Sequence, residues 1–409
     1  MPTKSLNKNL HSAKVAKQDE FYTRYVDIQK EVEAYLEFDP DTFRGKIVYC
    51  NCDDPFESNF FKYFAANFNK LGLKKLVSTS FDGSPIAGAQ LTFGEYGDGN
   101  GGRQKPKAIA VEIEEVKDLS GDGATGIEDV KLFLERNPHT RTPLSEGGDF
   151  RSSECIELLK EADIVVTNPP FSLFKEYVSQ LAQHAKKFLL IGNKNAITYL
   201  EIFPLIKDNK LWMGVTPMAA DMLFDVPPEV AKVMLESGKK GSNYRIVNGK
   251  VMGRSTSVWF TNLDHGRRHQ TQPLMTMAEN LRFSKHKELR GRTEYYRYDN
   301  YDAVDVPFTD SIPSDYDGVM GVPISFLDNY NPDQFEIVGN SDDSDMMREI
   351  GVNTLGREFI DAYRSRGGTG HYSPGMRMLG LLEPQPRVIY KRILIRHRRA
   401  AMPEEGAKK

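Results

Sequence analysis

The sequence predicts an α/β protein built on a doubly wound, mostly parallel sheet, and three observations carry that expectation. First, GKIVYCNCDD (45–54), SNFFKYFAANFNKLG (58–72) and KKLVSTSFD (74–82) read as strand, helix and strand, the βαβ unit of a parallel sheet. Second, the same rhythm returns further on as helix SSECIELLKEA, strand DIVVT, helix SLFKEYVSQLAQHA and strand KKFLLIG. A helix around AITYLEIFPLIKDN and a strand KLWMGV continue it. Third, each strand is short and apolar throughout, as expected when helices cover both faces of the sheet.

The remaining elements follow in order. Residues 1–20 are polar with scattered lysines (Lys4, Lys8, Lys14, Lys17) and read as a mobile basic arm. DEFYTRYVDIQKEVEAYLEF then places apolar and aromatic residues at helical spacing. The aromatic-rich helix of 58–72 should stop at Gly72. Residues 83–148 break the rhythm with GEYGDGNGG (94–102) and the acidic VEIEEVKDLSGDG (111–123), and read as an insertion beside the sheet. RSTSVWFTNL (254–263) adds one more strand, and beyond about residue 265 the alternation fades. The expected division is an arm (1–20), an α/β domain (21–265, insertion 83–148) and a separate region (266–409).

Composition excludes several classes. The 409 residues carry 54 basic and 57 acidic side chains, a net charge of -3, so nothing global announces a polyanionic partner. Apolar runs such as FLLIG fall far short of the roughly 20 residues that cross a bilayer. No signal-like segment opens the chain, so the expectation is a cytoplasmic protein with no membrane partner. Cys50, Cys52 and Cys155 are too few for a disulfide framework and form no zinc-like cluster. Local charge is less even: Arg267 to Arg297 holds eight Lys/Arg against three Asp/Glu, with Tyr295, Tyr296, Tyr298 and Tyr301 at its end. The C-terminal PRVIYKRILIRHRRA is cationic as well.

The chemistry is concentrated in DIVVTNPPFSLF (163–174). A strand that stops on Asn168-Pro169-Pro170-Phe171 suits methylation of a delocalised amine. The Asn168 side-chain oxygen and the Pro169 carbonyl can each accept one N–H of an exocyclic amino group, drawing its nitrogen toward tetrahedral geometry. The prolines stiffen the turn, and Phe171 offers a ring on which an extruded base can stack. A plain proline turn is the competing account, but such a tetrapeptide should arise by chance in only roughly 1 or 2% of chains this long. The donor would be S-adenosyl-L-methionine, whose sulfonium already activates the methyl carbon. No cysteine follows a proline, which argues against cytosine-C5 chemistry through a Pro-Cys nucleophile.

A doubly wound sheet binds its nucleotide at strand ends. GGDFRSSE (147–154) supplies Asp149 for the cofactor's adenine amine and Phe150 for its face, unless Asp149 only neighbours a helix cap. CNCDDPFES places Asp53 and Asp54 where methyltransferases usually carry a glycine-rich turn, and here no Gly-x-Gly is present. Asp118, Ser120, Asp122, Gly123 and Asp129 imitate a calcium loop, although a metal-free turn capping a helix explains them better, and no metal site is expected.

NKNLHSAKVAKQDEFYTRY, VYCNCDDPFESNFFKYFAANFNKLGLKKL, GDFRSSECIELLKEADIVVTNPPFSLFKEYV, KKFLLIGNKNAITYLEIF, YDNYDAVDV and DYDGVMGVPISFL together resemble the EcoRI-type adenine-N6 DNA methyltransferases of restriction-modification systems. The resemblance implies a class I S-adenosylmethionine-dependent methyltransferase fold, Rossmann-like, with a C-terminal DNA-recognition region over 266–409. It also implies double-stranded DNA as substrate, base flipping, a monomer acting on one strand at a time, and a cognate restriction endonuclease as candidate partner. Residue by residue, Asn168, Pro169, Pro170 and Phe171 match the catalytic motif and Asp149 and Phe150 the cofactor pocket. Tyr22 and Thr23 match the N-terminal motif near the donor's methionine end, and Asp53 and Asp54 the strand-one turn. The rival readings are a methyltransferase of RNA or of protein glutamine amides, and an idle DNA-binding protein.

Overall fold

The computed structural model describes residues 22–52, 58–81, 108–121, 125–137, 140–220, 222–226, 228–369, 375–389 and 391–398. The basic arm therefore lies outside the described residues. The chain divides into two units, one of residues 1–196 and 213–265, the other of residues 197–212 and 266–409. The stretch 197–212 groups with the second unit, and the helix and strand expected from its sequence form as Phe203–Lys207 and Trp212–Met213.

In the first unit the elements run β1 (Tyr22–Thr23), α1 (Tyr25–Phe38), β2 (Ile47–Asn51), α2 (Asn59–Ala66), α3 (Phe68–Leu71) and β3 (Lys75–Thr79). There follow β4 (Ile109–Ile113), α4 (Ile127–Arg136), β5 (Arg141–Pro143), α5 (Ser153–Glu161), β6 (Ile164–Thr167), α6 (Phe174–Gln183) and β7 (Lys187–Asn193). The main sheet has eight strands in the order β5-β4-β3-β2-β6-β7-β12-β8, with β8 at Trp212–Met213 and β12 at Ser257–Thr261. Its centre, β3-β2-β6-β7, is parallel. β4 pairs antiparallel with β3, β5 with β4, and β12 with β7.

Both faces of that centre are buried. In β6, Ile164 and Val166 join the core that α1 and α2 close with Ile28, Val32, Phe60, Phe61 and Phe64, while Val165 and Thr167 are just as deep on the other face. This explains why the strands read as unbroken apolar runs. The chain moves outward from β2 through β3, β4 and β5, then returns to lay β6 on the opposite side of β2. That reversal makes the carboxyl ends of β2 and β6 the topological switch point, the position at which doubly wound sheets take their ligands.

Two expectations change. The segment 83–148, expected beside the sheet, contributes β4 and β5 to it. DEFYTRY was expected to be helical, but Tyr22–Thr23 pair with β9 (Met222–Asp225) as a strand, and the helix starts at Tyr25. The cause is tertiary, because the partner strand arrives from 200 residues away. β1 and β9 form a second, four-stranded sheet with β10 (Tyr244–Val247) and β11 (Lys250–Ser255) in the order β1-β9-β11-β10.

The second unit is built on the sheet β13-β14-β16-β15 (Ala303–Asp305, Val319–Pro323, Arg392–His397, Phe335–Asn340). Its centre holds an ion pair between Arg392 and Asp305 at 2.9 Å, and the Tyr298 hydroxyl donates to the same carboxylate at 2.8 Å. Tyr298 and Tyr295 are core residues, the latter donating to the Ser311 carbonyl at 2.6 Å, and Tyr296 and Tyr301 pack half-buried against the same unit's core, so all four tyrosines noted in the basic stretch serve packing. Arg268 is likewise buried, its guanidinium 3.5 Å from the centre of the Trp212 ring. Among the described residues no helix is long and apolar enough to cross a membrane.

Candidate active site

The site is assembled where three strands end. At the end of β2, the Asn51 side chain is buried and accepts from Thr79 of β3 at 2.9 Å, and Tyr49 lies 3.1 Å from the same threonine hydroxyl. The Asn51 main-chain carbonyl accepts from the Thr167 hydroxyl at the end of β6. β2, β3 and β6 are thus tied together by side chains at the level where the next residues become catalytic candidates.

Asn168, Pro169 and Pro170 follow Thr167 directly and lead into a 3-10 turn over Phe171–Leu173, closed by the Leu173 N–H donating to the Pro170 carbonyl at 2.9 Å. Pro169 is buried, Asn168 and Pro170 are half-buried, and the Asn168 side-chain oxygen is shielded from solvent. Phe171 is half-buried and rests against the core cluster. The prolines hold the backbone extended between strand and turn, where neither needs an N–H.

Cys52, directly after β2, has φ of 63°. The left-handed conformation that a glycine-rich turn would adopt is here taken by a cysteine, at a strain of about 1–2 kcal/mol. Asp53 and Asp54 lie outside the described residues, as does the Tyr22 side chain.

Thr23 is brought to the same end of the sheet, since the Asn59 amide at the start of α2 donates to its carbonyl at 2.7 Å. The Thr23 hydroxyl is buried with no hydrogen-bond partner among the described residues. A buried, unsatisfied hydroxyl suits a pocket whose polar ligand would complete it. Sequence reasoning missed Glu31 of α1. This fully buried carboxylate accepts from the N–H groups of Val215 (2.6 Å) and Thr216 (2.9 Å), the Thr216 hydroxyl (2.6 Å) and the Tyr35 hydroxyl (3.3 Å). It thereby fastens α1 to the segment that leads into β9. Burial raises its pKa, and these donors oppose the rise.

Asp149 follows Gly147 and Gly148, both at positive φ. A side chain at Gly148 would put its Cβ 2.0 Å from the Ser80 carbonyl just beyond β3, so only glycine lets this loop reach the strand ends. The cap of α5 is Ser152, which accepts from the Cys155 N–H at 3.2 Å, so the Asp149 carboxylate does not serve that role. Instead it is held by Arg151 in a two-point fork of 2.9 and 2.7 Å, which keeps its pKa below the usual carboxylate range. Arg151 also reaches Glu176 on α6 at 3.2 Å, linking this loop to the helix that follows the proline turn. Phe150 is buried edge-on against Tyr177, ring centres 5.0 Å apart, and Arg151 lies 5.2 Å from its ring centre. Its ring thus packs within the protein, a placement that the bare sequence does not disclose.

The calcium-like loop is committed to backbone. Asp129 accepts from the N–H groups of Leu119 (2.8 Å), Ser120 (2.7 Å) and Gly126 (2.7 Å). Residues 122–124 lie outside the described residues, and among those described no cluster of His, Cys, Asp or Glu could hold a metal ion.

A doubly wound sheet with an Asn-Pro-Pro-Phe turn at its switch point defines the class, an amino-group methyltransferase. Comparison with known proteins narrows it. The sequence profile described as "Adenine-specific methyltransferase EcoRI" matches residues 9–398. The type II methyltransferase M.EcoRI of Escherichia coli is 42% identical over 344 residues, 83% of this chain and 90% of its own. M.MpnI of Mycoplasma pneumoniae is 37% identical over 328 residues (80% and 83%), and M.MgeORF184P of Mycoplasma genitalium 37% over 331 residues (81% and 85%). No solved structure gives a significant match. The chain belongs to the EcoRI-type family of adenine-specific DNA methyltransferases.

Proposed function

We propose that the chain transfers the methyl group of S-adenosyl-L-methionine to the exocyclic N6 amine of an adenine extruded from duplex DNA. The observation that carries this reading is the Asn168-Pro169-Pro170-Phe171 turn at the switch point, next to the strand-end network of Asn51, Thr79 and Thr167. Asn168 and the Pro169 carbonyl hold the two N–H groups of the amine, and Phe171 supports the base. Thr23, Asp149, Phe150, Tyr22 and the Asp53/Asp54 turn form the donor pocket. In it the Thr23 hydroxyl gains a partner, and Asp149, kept ionised by Arg151, accepts from an adenine amine. When bound, the sulfonium supplies a methyl carbon ready for in-line attack.

Residues 266–409 serve as the target-recognition region. Support comes from the exposed Arg282, Lys285, Lys287, Arg290 and Arg297, of which Lys285 pairs with Asp310 at 2.7 Å and Arg297 with Asp302 at 2.8 Å. The enzyme acts as a monomer in the cytoplasm and protects the sites of a cognate restriction endonuclease. The test is methyl transfer from labelled donor to duplex DNA, RNA or protein, with Asn168→Ala as control. Label in DNA as N6-methyladenine, lost in the variant, is the expected result. Label confined to RNA or protein, or full activity in the variant, would overturn the reading.

A further inference from the structure

Between β9 and β12 the first unit carries a β-hairpin of one-sided charge. Its sequence, KKGSNYRIVNGKVMGR (239–254), has five cations and no acid, a denser positive run than the stretch 267–297. β10 and β11 pair from Tyr244↔Gly253 to Val247↔Lys250 around an Asn248-Gly249 tip whose φ angles are 50° and 77°. Positive φ at both tip residues is the turn that matches the twist of a two-residue hairpin. Directly opposed residues share a face, so Arg245, Lys250 and Arg254 lie on one side and Ile246 and Val251 on the other.

The base of the hairpin is anchored, since Tyr244, Met252 and Gly253 are buried and Arg254 donates to the Gly241 carbonyl at 3.2 Å. The tip is open: Ile246 and Val247 are 45% and 37% exposed, and Asn248, Gly249 and Lys250 are exposed too. β10 is an edge strand of its sheet. The acids packed nearby are Asp225, which pairs with Lys250, and Glu229 and Glu236 on the helix Pro228–Glu236.

We propose that this hairpin is a DNA-contacting ribbon, with Lys239, Lys240 and Lys250 on phosphates and the Ile246–Gly249 tip in a groove of the duplex. A two-stranded ribbon fits the major groove, and β-branched side chains at its tip suit thymine methyl groups. Edge-to-edge pairing with a second copy is the rival use of β10, and the like charge that two such hairpins would bring together disfavours it. The proposal rests on duplex DNA being the substrate.

The experiment titrates a fluorescent mixed-sequence duplex with the full-length wild type and the Lys239→Gln/Lys240→Gln/Lys250→Gln variant across rising salt, by anisotropy. The variant should bind about tenfold more weakly, with a salt slope shallower by about 2 to 3, roughly 0.9 for each phosphate no longer neutralised. S-adenosylmethionine binding should be unchanged, and the matching triple Lys→Arg variant should keep the wild-type slope. Equal affinity and slope in the Gln variant would overturn the ribbon alone. A wild type that binds no duplex would overturn the substrate reading and the ribbon with it. Wild-type dimers that the Gln substitutions dissolve, with no change in salt slope, would assign β10 to self-association and overturn the proposal.

Discussion

The Thr167 hydroxyl donates to the main-chain carbonyl of Asn51, joining residues 116 apart in sequence at the ends of the two central strands. Because Asn168 follows Thr167 without an intervening residue, this bond sets the height at which the Asn-Pro-Pro-Phe turn leaves the sheet. Thr167→Val keeps the shape and removes the donor. The expected loss is about 1–2 kcal/mol of stability, from a buried carbonyl deprived of a partner, read in urea unfolding. Methyl transfer should fall as well, since a small displacement of the turn misaligns the amine.

Asn168 itself separates binding from chemistry. Asn168→Ala should lower the rate of methyl transfer at least about 100-fold, with S-adenosylmethionine affinity little changed. Asn168→Asp retains an accepting oxygen and should keep more activity than the alanine variant. Single-turnover kinetics with duplex DNA distinguishes the two, and equal rates would refute the acceptor role.

Cys52 tests the strained turn. Glycine adopts φ near 63° without a Cβ penalty, so Cys52→Gly should raise unfolding free energy by up to about 1 kcal/mol, after the entropy that glycine loses on folding. A drop in stability would show that the side chain contributes more than the backbone loses.

Glu31 is surrounded by donors on both oxygens. Glu31→Gln turns one of those oxygens into an NH2 group facing other donors. It should cost about 1–3 kcal/mol and loosen the segment leading into β9. The measurement is urea unfolding together with the KM for S-adenosylmethionine, which should rise while DNA affinity holds.

Asp129 carries the clearest pH dependence. Hydrogen bonds from the Ser120, Gly126 and Leu119 N–H groups lower its pKa to about 2, below the roughly 3.9 of an unfolded aspartate. A depressed carboxylate stabilises the fold above the unfolded value and loses that contribution as pH falls through the folded value. Asp129→Asn should therefore lie below wild type in urea midpoint at pH 6, and the gap should narrow between about pH 4 and 2. A gap independent of pH would refute the assignment.

Much of the site was legible before any coordinates. DIVVT followed by NPPF announces a buried strand and the turn that ends it, because apolar runs and prolines report local backbone preference. Gly72 ends its helix as expected, with φ of 62°. What misled were residues whose neighbours come from far away. Thr23 sits in helix-like sequence, yet its partner is Phe224 of β9. Arg268, Tyr295 and Tyr298 look like parts of a basic, aromatic surface but are buried in the second unit's core.

By itself the sequence determined the parallel strand-helix order, the place of the Asn-Pro-Pro-Phe turn and the reaction class, since each depends on residue types at short spacing. Tertiary structure alone decided that residues 83–148 extend the sheet, that Glu31 locks the segment before β9, and that Arg151 reaches Glu176 on α6. Each of these joins residues that the linear order keeps apart, so no local residue preference announces it.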